Sequence, residues 1–145
     1  MATEQYLVDF WRGRITDKPQ DGPGGPDCGF DELNRWHDTI FGELDINYAR
    51  VLDAGCGVGR LASRFTDYTG VDFVPEFIET ARGLHPDKTF HVADFNNKLP
   101  FPDKYFDWVI TVSSMQYCKT NELRRVGKRV LELSYSHPNE YKVIL

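Results

Sequence analysis

Val51-Leu52-Asp53-Ala54-Gly55-Cys56-Gly57-Val58-Gly59-Arg60 runs from a short apolar segment straight into three alternating glycines, and then into a stretch with helical spacing. The composition has a geometric reason. Glycine adopts positive φ without a Cβ penalty, so a strand can turn sharply there and a ligand can come close to the backbone. The first N–H groups of the element that follows have no partner within it and remain available to whatever occupies the turn. A dinucleotide site of the G-x-G-x-x-G type requires glycine at 55, 57 and 60, with a diphosphate against the helix end. Position 60 is Arg60. The pattern is instead D-x-G-x-G-x-G from Asp53 to Gly59, which sets a carboxylate at the strand end, where it repels a diphosphate. A cationic or zwitterionic ligand suits this turn.

Downstream, short apolar runs alternate with helical stretches, the pattern of parallel strands joined by crossovers. Strands are predicted over residues 50–54, 68–72, 89–93, 106–112 and 141–145. Helices are predicted over 58–65 (Leu61, Ala62, Phe65), from Pro75 onward (Phe77, Ile78, Ala81) and over 121–133. The last carries Leu123, Val126, Val130 and Leu133 on one stripe, with Gly127 as a weak point in its middle. Residues 96–103 hold Pro100 and Pro102 and read as a crossover loop. Upstream, Tyr6, Leu7, Phe10 and Trp11 predict a short helix over 3–13, and the glycines and prolines of 17–29 predict a loop. A second amphipathic helix starts at Phe30, with Leu33, Trp36, His37, Ile40, Phe41 and Leu44 at helical spacing. Residues 1–145 thus form one domain, a helical cap over 1–47 and a core over 48–145 that holds the ligand.

Composition narrows the function. The chain has 145 residues, 41% hydrophobic and 27% charged, which fits one soluble domain with a real core. Seventeen basic against twenty-two acidic residues leave a net charge of −5, which argues against a nucleic-acid binder. Cys28, Cys56 and Cys118 are odd in number and form no C-x-x-C pair, so neither a disulfide framework nor a metal site is expected. The expected location is the cytoplasm, with no membrane span and no export signal.

With these residues in place, the sequence resembles the class I S-adenosylmethionine-dependent methyltransferases, whose first motif is the acidic glycine turn. The fold this implies is a Rossmann-like, doubly wound α/β sheet, here shortened to about five strands at its C-terminal edge and preceded by covering helices. The resemblance assigns Asp53, Gly55, Cys56, Gly57 and Gly59 to the cofactor turn. It assigns Asp72, thirteen residues beyond Gly59, and the adjoining Phe73 to the ribose; a carboxylate's two oxygens suit a vicinal diol. Asp94 in His91-Val92-Ala93-Asp94-Phe95 is assigned to the adenine amino group, and the Phe95 N–H to a ring nitrogen. Ser113 closes the fourth strand, facing the methionine portion. Each carboxylate has an alternative reading as a turn or helix cap, Asp72 before Val74 and Pro75 above all.

The implied reaction is methyl transfer by in-line displacement to a hydroxyl or amine of a small molecule, with S-adenosylhomocysteine as product. Because the cofactor brings the electrophile, no catalytic residue has to be visible. Trp11, His37 and Tyr117 are candidates for the acceptor pocket, and His37, His137 and Tyr117 for a general base. His37 sits beside Trp36 on the inward stripe, which favours packing, and Cys56 reads as a small filler in the turn. The alternative function is a non-catalytic, cofactor-binding regulatory or partner subunit. The family's sheet has seven strands, so a last strand over 141–145 would leave an open edge that a second copy or a companion subunit covers.

Overall fold

The computed structural model describes residues 30–112 and 120–144. Their elements in chain order are α1 (Phe30–Leu44), β1 (Arg50–Ala54), β2 (Asp67–Asp72), α2 (Pro75–Leu84), β3 (Thr89–Val92), β4 (Phe106–Val112), α3 (Asn121–Val126), β5 (Gly127–Leu133) and β6 (Tyr141–Ile144). The six strands form one sheet in the order β3-β2-β1-β4-β5-β6. All neighbours are parallel except β5 and β6, which run antiparallel. The predicted helix over 3–13 and the loop 17–29 lie outside the described residues, as do Trp11, Ser113 and Tyr117.

The core divides by the period-2 alternation of strands. Val51, Trp108 and Ile110 pack on one face with Ile40 and Phe41 of α1 and Ile78 and Ala81 of α2. Leu52 and Val109 pack on the other face with Leu123 and Val126 of α3 and with Phe95 and Leu99. Both faces of the central strands are therefore covered, which is why β1 and β4 read as continuous apolar runs. The chain leaves β1 for β2 and β3 on one side, then returns to β4 on the other. That reversal makes the C-terminal ends of β1 and β4 the topological switch point, where sheets of this kind take their ligands in a crevice.

Two predicted elements are corrected. Residues 58–65 are not an α-helix: only a 3-10 turn over Ala62–Arg64 forms, through the i→i+3 bonds Ala62 N–H to Gly59 O and Arg64 N–H to Leu61 O, both 3.0 Å. Three positive-φ glycines, at 55, 57 and 59, have already turned the backbone away from a regular helical path. The predicted helix over 121–133 ends at Val126, and its second half is strand β5. The apolar residues at 130, 131 and 133 fit either period once the helix stops, and pairing with β4 decides for strand. The sheet thus has six strands rather than about five, and the last predicted strand is the sixth, an antiparallel edge.

Gly127 marks the junction for a steric reason. A Cβ built there would overlap Cγ2 of Val109 and approach the Leu123 carbonyl oxygen at 3.1 Å. Its φ of −114° is ordinary, so the requirement is for space and not for left-handed backbone. Gly127→Ala is expected to lower stability by about 1–3 kcal/mol, as overpacking does. A downward shift of the urea midpoint at unchanged slope checks this.

Candidate functional site

The glycine turn is built as its composition requires. Gly55, Gly57 and Gly59 have φ of 79°, 55° and 86°, values that a side chain makes costly. Its N–H groups are tied to the neighbouring strand: Gly55 and Cys56 both donate to the Val71 carbonyl, at 2.9 and 3.0 Å. Gly57 N–H donates to Asp72 Oδ2 at 3.0 Å. Asp72 Oδ1 accepts from Val74 N–H at 3.0 Å, a tight turn leading into α2, but the N-cap of α2 is Val74 and no side chain caps the helix, so the cap reading of Asp72 does not hold. An ionised carboxylate has about four acceptor positions, so both oxygens keep capacity for a further donor. Gly70 clears room behind the turn, since a Cβ there would meet Phe90 Cδ1 at 2.8 Å and Cys56 Sγ at 2.9 Å.

Asp53 lies one residue before the end of β1, Asp72 closes β2 and Asp94 lies two residues beyond β3, all toward the C-terminal rim of the sheet. The register pairs Ala54 with Val71 and Asp72 with Val92, and Ala93 N–H donates to the Asp72 carbonyl at 2.9 Å. Asp53 is 3% exposed and accepts the Tyr68 hydroxyl at 2.6 Å. Burial raises its pKa to about 6, against the pull of the Tyr68 bond and the charge of Arg60. Burial raises Asp72 to about 6 as well, opposed by its backbone donors. Asp94 is half-buried and accepts Asn96 N–H at 2.9 Å. Phe95 is buried in the lower core layer, and Phe73 packs partly buried against Val58, Val74 and Phe77. Cys56 is a buried free thiol whose pKa is pushed well up by burial and by Asp72 and Asp53, which suits a filler and not a nucleophile.

Arg60 has an unforeseen place. It is 8% exposed, and its guanidinium donates to Asn34 Oδ1 at 2.6 Å and meets His37 Nδ1 at 3.2 Å, fastening α1 to the turn. A guanidinium only donates, so Nδ1 accepts and Nε2 carries the imidazole proton. His37 is fully buried, and burial together with Arg60 and Arg64 lowers its pKa to about 3. Its Nε2 makes no well-aligned hydrogen bond among the described residues, although the Ser134 backbone lies near enough to favour its proton. His37 is thus held neutral between α1 and the turn, and Trp36, expected on the inward stripe, is 40% exposed. No spacing rule announces the Arg60 contacts, because Asn34 and His37 lie more than twenty residues away in sequence.

A surface cavity of about 520 Å³ lies at the opposite end of the sheet, between Arg50, Asp67, Lys104, Tyr105 and Asp107. Its charges satisfy one another: Arg50 pairs with Asp67 at 3.3 Å, and Asp107 with Lys128 at 3.0 Å. Among the described residues, no group of three or more acidic, histidine or cysteine side chains is arranged to hold a metal ion. No described helix is long and apolar enough to cross a membrane.

Residues 51–134 match the family model described as a methyltransferase domain. The chain belongs to this family, the class I S-adenosylmethionine-dependent methyltransferase domains. It is 34% identical over 98 residues to the magnesium-protoporphyrin O-methyltransferase of Rhodobacter capsulatus, covering 59% of this chain and 42% of that one. Identity to the fatty-acid O-methyltransferase of Mycolicibacterium smegmatis is 37% over 108 residues, covering 66% and 39%. The solved structure of the PH0226 protein from Pyrococcus horikoshii superposes with a TM-score of 0.59 at 26% identity, over 87% of this chain and 65% of that one. The chain spans about two fifths of the length of the curated relatives it matches.

The raised carboxylates carry a pH dependence. A folded-state pKa of about 6, above the ordinary value of 3.8, means that the folded chain holds these protons more tightly than the unfolded one. Their contribution to stability is fully present below about pH 4 and is lost as pH rises through about 6. Asp53→Asn, which can still accept from Tyr68, is expected to melt progressively higher than the parent as pH rises from 4 to 7. Melting curves of the two ligand-free chains across that range check it.

Proposed function

We propose that the chain carries a methyl group from S-adenosylmethionine to a hydroxyl or amine of a small molecule, releasing S-adenosylhomocysteine. One observation carries this reading: acidic residues stand at or near the C-terminal ends of three adjacent strands, two of them buried carboxylates around a turn of three positive-φ glycines. The donor set fits the cofactor. A rim of carboxylates with spare acceptor capacity suits an ammonium, a diol and an exocyclic amine. In this reading Asp53 balances the amino-acid portion, Asp72 receives the ribose hydroxyls, and Asp94 with the Phe95 N–H reads the adenine. Cys56 and Phe73 line the turn beside them.

When bound, the cofactor supplies an electrophilic methyl carbon on a sulfonium whose leaving group is a neutral thioether. The chain's task is to hold that carbon in line with the acceptor and to exclude water. His37, kept neutral beside Arg60, acts in locking α1 to the turn and not as a base. The acceptor side rests on the sequence positions of Trp11 and Tyr117, with Ser113 near the methionine portion. The two relatives that are O-methyltransferases support oxygen as the acceptor atom. The odd cysteine count supports a cytoplasmic setting.

Calorimetric titration with S-adenosylmethionine and S-adenosylhomocysteine tests the site. Saturable binding is expected, tightening as pH rises through about 6 because a cationic ligand favours ionised carboxylates. Asp72→Ala is expected to weaken both ligands by about 10- to 100-fold, the worth of one or two charge-assisted hydrogen bonds. Folded parent protein that binds neither ligand overturns the reading. Binding without transfer to any acceptor leaves a regulatory subunit instead.

A further inference from the structure

Strand β3 stops at Val92, and no ladder supports the chain again until Phe106 opens β4. The segment between carries Asp94 and Phe95, and Pro100 and Pro102 deprive it of two backbone donors. Much of its backbone is instead held by two side chains of α3, Arg125 and Glu122. Arg125, on α3, donates from Nη1 to the Phe101 carbonyl at 2.8 Å and to Asp103 Oδ1 at 2.9 Å. From Nη2 it donates to the Leu99 carbonyl at 2.9 Å and to Glu122 Oε2 at 2.9 Å, and from Nε to Glu122 Oε1 at 2.7 Å. These are five bonds for the five N–H donors that a guanidinium has. Glu122 Oε2 completes the circuit by accepting Leu99 N–H at 2.8 Å. Leu99 and Phe95 are both buried in the layer below, so fixing the backbone at Leu99 fixes the short span that leads back to Asp94.

We propose that Arg125, with Glu122, is a positioning residue for adenine recognition: it holds the loop that presents Asp94 and the Phe95 N–H. This inference rests on the methyl-donor reading of the rim. The basic residues of this helix look in sequence like a solvated or anion-seeking face, yet the Arg125 side chain is only 23% exposed and all of its donors are engaged within the chain. Lysine cannot replace it. Three donors radiating from one ammonium do not match five arranged in a planar fork.

The test compares S-adenosylhomocysteine with S-inosylhomocysteine, which lacks the exocyclic amine that Asp94 would accept. The parent chain is expected to prefer the adenosyl ligand by about tenfold or more, the value of one hydrogen bond to a charged group. Arg125→Lys is expected to bring that ratio close to one, with the loss falling on the adenosyl ligand. Glu122→Gln, which keeps size but removes the charge facing the guanidinium, is expected to lower the ratio less and carries the test if Arg125→Lys does not fold. A merely structural role weakens both ligands alike and leaves the ratio unmoved. Parent protein that binds neither ligand overturns the methyl-donor reading; parent protein that discriminates, beside folded variants that discriminate equally, overturns the Arg125 assignment alone.

Discussion

The hydrogen bonds that join the glycine turn to the end of β2 are the constraint on which the rest depends. Val71 offers its carbonyl to two successive N–H groups of the turn, and Asp72 offers a carboxylate oxygen to a third. The positive φ at Gly55 and Gly57 lets the turn present these donors to β2, while Gly59 N–H closes the turn on the Cys56 carbonyl. Once the two strand ends are fixed together, the rim carrying Asp53 and Asp72 has a set shape. The Tyr68 hydroxyl then fixes Asp53 from within β2.

The same arrangement holds two carboxylates in a place that water would not choose. Burial works against their charge, while backbone donors, a phenol and the buried Arg60 work for it. The balance leaves both poised near neutrality, which distinguishes a site awaiting a positive partner from an internally satisfied ion pair. The cluster at the far end of the sheet shows the contrast, because Arg50, Asp67, Asp107 and Lys128 already answer one another.

What the sequence made legible was local. The glycine turn, the first three strands with their acidic residues and the helix from Phe30 to Leu44 each follow from a short local pattern, and the structure has these elements where expected. Of the two misread elements, residues 58–65 lose their helix to the neighbouring positive-φ glycines, whereas over 121–133 a long-range contact decides. Val130, Leu131 and Leu133 satisfy a helical or an extended period, and β4 chooses between them. The fit of Gly127 against Val109 fixes where the switch occurs, and a sequence pattern does not encode that distance. Arg60 and Arg125 bond partners more than twenty residues away, Asn34 and Leu99 among them, which no local pattern encodes. The fold is therefore clear at its glycine-rich centre and less so at β5 and β6, while the acceptor lies beyond what the fold alone can name.

The crevice also bears on how the chain reaches its native state. Strands β1 and β4 lie side by side, yet 51 residues separate Ala54 from Phe106, and the intervening chain must build its own half of the sheet. Such distant pairing brings a loop-closure penalty before any contact repays it, whereas the β5–β6 hairpin closes over a few residues. Reversing direction at β1 gives the molecule its cleft and, by the same topology, gives its assembly its slowest encounter.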